Sequence, residues 1–363
     1  MPDALAPDAR TLWKRLGSDG TLRRLYSGEA VDPAFGLDPA ALGELLVMLD
    51  AEHDLGTTLS VCVQVATSLP ILIGRDGPAA QVAEDALDGR SVVAFAATDA
   101  DAPGSDLTAL STRVELGDGE VRLTGAKQWI VNATTADHAV VLARHRPGDH
   151  FTSFTLLLVP TGAQGVTSVL ARTPFFAGSG TGELRFDDVR LPASCVIGRP
   201  GQGLAEFARR MSAERLAGGL WAAALCRRVL AGTRDRLANR VVRGQPLWQD
   251  AAIRQRFAQA LLEQRRLAAL CAAVCVPAGP GAVRPDTSLG ATMVQAMLVK
   301  AAAAQTVHMV LNECAQLYGA EGFTAGGIQQ LRAEAAMFGI AGGSSETMLA
   351  GIADHAAELL EAR

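Results

Sequence analysis

One carboxylate stands out in this sequence by its company. Phe207, Met211, Glu214, Gly218, Trp221 and Leu225 recur at three- and four-residue steps, so they share one face of a helix. Glu214 is then a single acid on an otherwise apolar stripe. An unpaired carboxylate is costly to bury and is poised to exchange a proton, which is what a general base does. Gly218, one turn on, leaves space beside it. The competing reading is a glutamate satisfied by a neighbouring arginine or a helix terminus, a common arrangement on long helices. Other chemistry is thinly represented. The six histidines have no metal-ligand spacing and the six cysteines contain no CxxC pair, so neither a metal site nor a disulfide framework is expected. The GxG at Gly178–Gly180 lies between strands instead of opening a helix, which removes it as a dinucleotide fingerprint.

The elements that must position Glu214 follow from the change of period along the chain. Helix-period apolar residues run through Leu42–Leu49 and Leu59–Leu72, punctuated by Asp-Pro and Arg-Asp-Gly-Pro. From Ser91 the pattern becomes short β-branched or alternating runs: VVAFAAT, VRLTGAKQWIV, HAVVLARH, TSFTLLLVP and GELRFDDVRLP. Helical periodicity resumes after Gly203 and continues to the C-terminus, broken at 244–246, at 277–289 and at 319–327. The Pro/Gly-rich 277–289 stretch reads as a mobile surface loop. The order of helices, strands, helices gives an α+β chain of three parts: a helical domain over residues 1–90, an antiparallel β-domain over 91–198 and a helical domain over 199–363.

Composition excludes several classes. With 49% hydrophobic and 20% charged residues in 363, the chain is globular and not disordered. A formal charge of −5 offers no basic field for nucleic acid. Only three of the 33 basic residues are lysine. The polar, acidic N-terminus lacks the pattern of a signal peptide. The most apolar stretch, residues 291–311, is interrupted by Gln295, Lys300, Gln305 and His308, so no membrane span is expected and the location is cytoplasmic.

Four segments in order resemble the acyl-CoA dehydrogenase family, and together they cover nearly the whole chain. FAATDADAPGSD (95–106) is similar to the family's Thr-Glu-Pro-x-x-Gly-Ser-Asp loop, with Asp99 for the usual Glu, Ala100 for the usual Pro and one residue inserted. LTGAKQWIVNATTADHAVVLAR (123–144) is similar to the strand whose Trp covers the flavin ring, with Val131 where a Thr is common. GELRFDDVRLPASCVIGRPGQG (182–203) resembles the exit into the helical domain. QLYGAEGF (316–323) and GIAGGSSETM (339–348) resemble the family's adenine loop and its Glu-Gly-Thr-Ser-Glu turn.

The resemblance implies an acyl-CoA dehydrogenase-like fold with a C-terminal four-helix bundle, and FAD as cofactor. It assigns Phe95, Ala97, Thr98, Gly104, Ser105, Trp129, Ile130, Val131, Arg240, Gln316, Gly319, Ala320, Ser344 and Ser345 to FAD, with Ser344 or Ser345 capping a helix that starts near Met348. Ser105, Ser212 and Arg215 fall on the thioester arm. Arg243 stands where the family has a Phe after its FAD-contacting Arg, and the later Gln falls at about Ala251, so the contact across subunits is expected to be remodelled. Many members carry the catalytic Glu at the position of Gly342. A subset similar to isovaleryl- and long-chain-type enzymes supplies it from the Glu-Arg pair matched by Glu214–Arg215.

By that resemblance Glu214 takes the α-proton of an acyl thioester while the β-hydride passes to flavin N5, giving a 2-enoyl thioester. The expected partners are an acyl-CoA or acyl-carrier-protein substrate, an acceptor such as electron-transfer flavoprotein, and further copies of the chain in a dimer or tetramer. Abbreviated N-terminal helices and drifted motifs suit a specialised-metabolism pathway. Two alternatives remain. One is a flavin monooxygenase on the same fold, against which Glu214 argues. The other is a non-catalytic partner subunit, for which the drift at Asp99, Ala100, Val131 and Arg243 argues.

Overall fold

The structure, a computed structural model, describes residues 9–275 and 289–361. Its contacts divide the chain into two compact units: residues up to Asp38 together with Gly56–Glu214, and Pro39–Leu55 together with everything from Arg215. The predicted 277–289 loop lies, but for its last residue, outside the described residues.

The first unit is built on an eight-stranded sheet: β1 (Val93–Ala96), β2 (Arg113–Leu116), β3 (Glu120–Ile130), β4 (His138–Arg144), β5 (Phe154–Pro160), β6 (Val166–Leu170), β7 (Gly182–Pro192) and β8 (Val196–Ile197). The strand order is β6-β7-β3-β2-β4-β5-β8, with β1 on β4. The sheet is mixed and not purely antiparallel. β1 runs parallel to β4, pairing Val93 with His138 through Ala96 with Val141, because the long connection between them allows a crossover. Continuous apolar runs such as Val140–Ala143 and Leu156–Val159 are buried on both faces.

Side chains fix where β1 begins. The helix of Leu55–Val63 passes through a π-helical turn, Gln64–Ser68, before Leu69–Leu72. Within that turn the Val93 amide donates to Gln64 Oε1 at 2.8 Å, and Ser68 Oγ donates to the Val93 carbonyl at 3.1 Å. A π-turn reorients side chains that a regular helix would aim elsewhere. Asp137 adds a second tie, accepting from Arg10 at 2.8 Å and from the Val92 amide at 2.9 Å.

The second unit is helical. Leu289–Tyr318 packs against Ala251–Cys275, Ile328–Ala335 and Ser345–Asp354. The 37-residue Gly203–Asn239 helix gives its first turns, up to Glu214, to the first unit and the rest to this one. Here Asp50 on the Pro39–Glu52 helix accepts from Arg228 Nε at 2.7 Å and from Trp221 Nε1 at 3.3 Å. Gly219 marks a close approach between helices: a Cβ there would lie 2.1 Å from Val299 Cγ1. Two helical stretches, Leu55–Leu72 and Gly290–Phe323, are long and apolar enough to cross a membrane, and 94% and 56% of their most apolar windows is buried in the protein. All six cysteines are free thiols, and burial pushes Cys271 up to about 12 and Cys314 to about 11.

Candidate active site

In the first unit, β1 and β3 carry or adjoin several of the predicted residues. Phe95 on β1 stacks on Phe207 of the Gly203–Asn239 helix, ring centroids 5.7 Å apart and planes 13° from parallel. That contact fixes the helix face on which Glu214 stands two turns later. Ala97 and Thr98 continue from β1, the Thr98 carbonyl accepting from the Gln128 amide at 3.1 Å. Gly104 folds back on Thr98, a Cβ at 104 falling 3.1 Å from Thr98 Cγ2, while Ser105 beside it is exposed.

Trp129 is presented by a bulge. The β3–β7 register slips between Lys127 and Ile130, and Trp129 takes φ 58°, a left-handed conformation rare for a bulky residue. Its indole is 57% exposed while Ile130 is buried. Val131 is half-buried, and Asn132 behind it is locked by Ser60 at 2.6 Å and 3.0 Å. An exposed indole on a strained, well-anchored backbone is a platform that fits a planar cofactor ring.

Beneath this platform lies a buried ion pair. Lys127 Nζ sits 2.5 Å from Asp99 Oδ1 and donates to the Ala97 carbonyl at 2.7 Å, with both side chains fully buried. Asp99 also accepts from the Ser111 and Thr112 amides and from Thr112 Oγ1. Burial pushes the Asp99 carboxyl up, but Lys127 and Thr112 outweigh it and hold it below the usual value. For Lys127, burial prevails over Asp99 and pulls the amine down to about 8. Asp99, read from the sequence as motif drift, thus closes the 99–112 loop onto the strand that precedes Trp129. Lys127 went unassigned, although its alternation with Val121 and Leu123 already puts it on the inward face of β3.

Glu214 is half-buried, and its Oε2 has no hydrogen-bond partner among the described residues. Ser212 Oγ, on the same turn, is buried in the same condition. Orphaned buried polar atoms call for a ligand, a water or a catalytic role. Arg215, also buried, donates from Nε to the Gly342 carbonyl at 3.4 Å. The space expected beside Gly218 is taken by Lys300, whose Nζ lies 3.8 Å from a Cβ at that position.

The remaining predicted residues gather in the second unit. Arg240 pairs with Glu321 at 3.5 Å, and Arg236 pairs with the same carboxylate and donates to the Tyr318 carbonyl at 3.1 Å. This brings Arg240 to the end of the Leu289–Tyr318 helix, which carries Gln316, and to the Gly319–Phe323 turn with Gly319 and Ala320, all three exposed. Ser344 caps the Ser345–Asp354 helix, accepting from the Thr347 amide, so the helix begins three residues before Met348. Ser345 Oγ turns away to the Gly339 carbonyl at 3.4 Å.

The first unit thus offers an exposed tryptophan and a glutamate whose Oε2 is unpartnered among the described residues. Residues 94–189 match the acyl-CoA dehydrogenase middle domain, and residues 201–357 match the acyl-CoA dehydrogenase C-terminal domain. The chain belongs to the acyl-CoA dehydrogenase family and is an FAD-dependent enzyme of acyl thioesters. It is 27% identical over 303 residues to the acyl-[acyl-carrier-protein] dehydrogenase MbtN of Mycobacterium bovis, covering 82% of this chain and 71% of the relative. A putative acyl-CoA dehydrogenase from Mycobacterium smegmatis superposes with a TM-score of 0.85 at 25% identity, over 97% of this chain and 90% of that one. Glutaryl-CoA dehydrogenase from the same organism gives 0.83 at 24% identity, over 97% and 87%.

Proposed function

We propose that Glu214 is the base that takes the α-proton in the FAD-dependent dehydrogenation of an acyl thioester. The observation that carries this assignment is its buried, unpartnered Oε2, next to the equally unpartnered Ser212 Oγ, on a helix face anchored by the Phe95–Phe207 stack. FAD, when bound, supplies the two-electron acceptor for the β-hydride. Phe95, Ala97, Thr98, Trp129, Ile130 and Val131 would hold its ring end, together with Gly104 and Ser105. Arg240, Gln316, Gly319 and Ala320 would serve its adenine end, and Ser344 and Ser345 would supply a further contact. Ser105, Ser212 and Arg215 orient the thioester. Glu214 receives the proton, so the product leaves as a 2-enoyl thioester. A base so placed contributes roughly 10²–10⁴-fold to rate.

The substrate handle is a carrier-protein phosphopantetheine or CoA. The likeness to MbtN, named as an acyl-[acyl-carrier-protein] dehydrogenase, favours the carrier. The acceptor is an electron-transfer flavoprotein or an equivalent carrier, and the active form is a cytoplasmic homodimer or homotetramer of three-part subunits (1–90, 91–198, 199–363).

The test is an anaerobic titration of FAD-loaded protein with acyl-CoA and acyl-carrier thioesters, wild type beside Glu214→Gln. Bleaching of the flavin band in wild type, with Glu214→Gln binding FAD normally but slowed at least a hundredfold, is the expected result. Flavin that no thioester bleaches would overturn the assignment.

A further inference from the structure

The first three turns of the Gly203–Asn239 helix carry a charge imbalance that the dehydrogenation step does not use. Glu206, Arg210 and Glu214 recur every four residues and so lie along one stripe, each about 6 Å further along the axis. Glu206 is committed: Arg75 Nη2 holds it at 2.6 Å, and Arg209 approaches it to 3.8 Å. Arg210 is the third guanidinium around that one carboxylate. It is half-buried, makes no hydrogen bond or ion pair among the described residues, and its Nε is fully shielded without a partner there. Burial, with Arg209 and Arg75 nearby, lowers its pKa despite Glu206. The chain makes room for this side chain at a cost. Gly36 takes φ +72°, and a Cβ there would fall 2.8 Å from Arg210 Nη1.

A half-buried guanidinium held among like charges, with its Nε unpaired, is compensated when an anion arrives. The unpaired Ser212 Oγ and Glu214 Oε2 follow within the next turn. We infer that Arg210, flanked by Arg75 and Arg209, binds an anionic group of the thioester substrate on the N-terminal side of Glu214. The inference rests on the thioester reading above and makes substrate charge a determinant of specificity. The anion is either a carboxylate on the acyl chain or the phosphate of a pantetheine handle. Both present paired oxygens to which a guanidinium fork donates.

Calorimetric Kd values with FAD-loaded protein separate these sources. Three ligands are compared: a monocarboxylic acyl N-acetylcysteamine thioester without charge, the same acyl group on phosphopantetheine, and an N-acetylcysteamine half-thioester of a dicarboxylic acid. Arg210→Met is expected to weaken an anionic ligand about ten- to a hundredfold and leave the neutral thioester unchanged, with Arg210→Lys keeping most of the affinity. Loss confined to phosphopantetheine assigns the handle, and loss confined to the half-thioester assigns the acyl chain. If Arg210→Met binds all three as wild type does, or loses all three equally, the inference is overturned. Wild type that binds none of the three overturns the thioester reading itself.

Discussion

Lys127 is a fully buried amine, and its behaviour with pH separates its role from a packing role. Its folded pKa of about 8 lies below the 10.5 of an exposed lysine, so between those values the unfolded chain binds more protons than the folded one. Stability from this group therefore rises as pH climbs from about 8 to 10.5. Asp99, whose pKa is also depressed, acts in the same direction but in the acid range: it stabilises the fold at neutral pH, and that contribution is lost as pH falls through the folded value. Lys127→Met should lower the stability at pH 7 by about 3 kcal/mol, the cost of a broken buried pair, and abolish the alkaline slope. Urea melts of both proteins from pH 7 to 11 measure it, and an unchanged slope would show that Lys127 does not titrate there. Glu214 was legible in the sequence because a helical stripe of Phe207, Met211 and Trp221 exposes the odd member. Trp129 was legible as a residue but not as a surface: strict alternation from Lys127 would bury it, and the bulge reverses that parity. Arg210 gave no signal, because the fact that defines it, a missing partner, belongs to tertiary structure.

At the scale of elements, the long runs were readable and the short edges were not. β3, β4, β5 and β7 follow from apolar alternation or continuous apolar runs. β2, β6 and β8 escaped because they have little to bury: Val169 and Leu170 on β6 are exposed, and β8 has two residues. The parallel pairing of β1 with β4 also escaped, since local pattern records a strand but not its direction. The packing of the long helices turns on Gly219, where Val299 would clash with any side chain. Gly219→Ala gains helix propensity of up to about 1 kcal/mol, but overpacking costs about 1–3 kcal/mol. A net loss of stability is expected, read as a lower denaturation midpoint. A gain would mean that the two helices separate without penalty.

For the molecule as a whole, apolar side chains left in water bear on assembly. Phe323 and Ile340 are 75% and 71% exposed in the helical unit, close in sequence to the proposed adenine loop and to the Ser344 cap. A dimer or tetramer that covers them accounts for their exposure in one subunit. Light scattering should therefore give a mass two or four times that of the chain, and Phe323→Ser should weaken both assembly and FAD retention. A monomer that keeps FAD tightly would remove the assembly argument. The scarcity of lysine has a different significance. Thioesters acylate amines without any enzyme, so a protein that handles them is exposed to damage by its own substrate. Of the three lysines, Lys127 and Lys300 are buried and only Lys14 is exposed. With arginine carrying nearly all the positive charge, the surface offers its substrate almost no side-chain amine to modify.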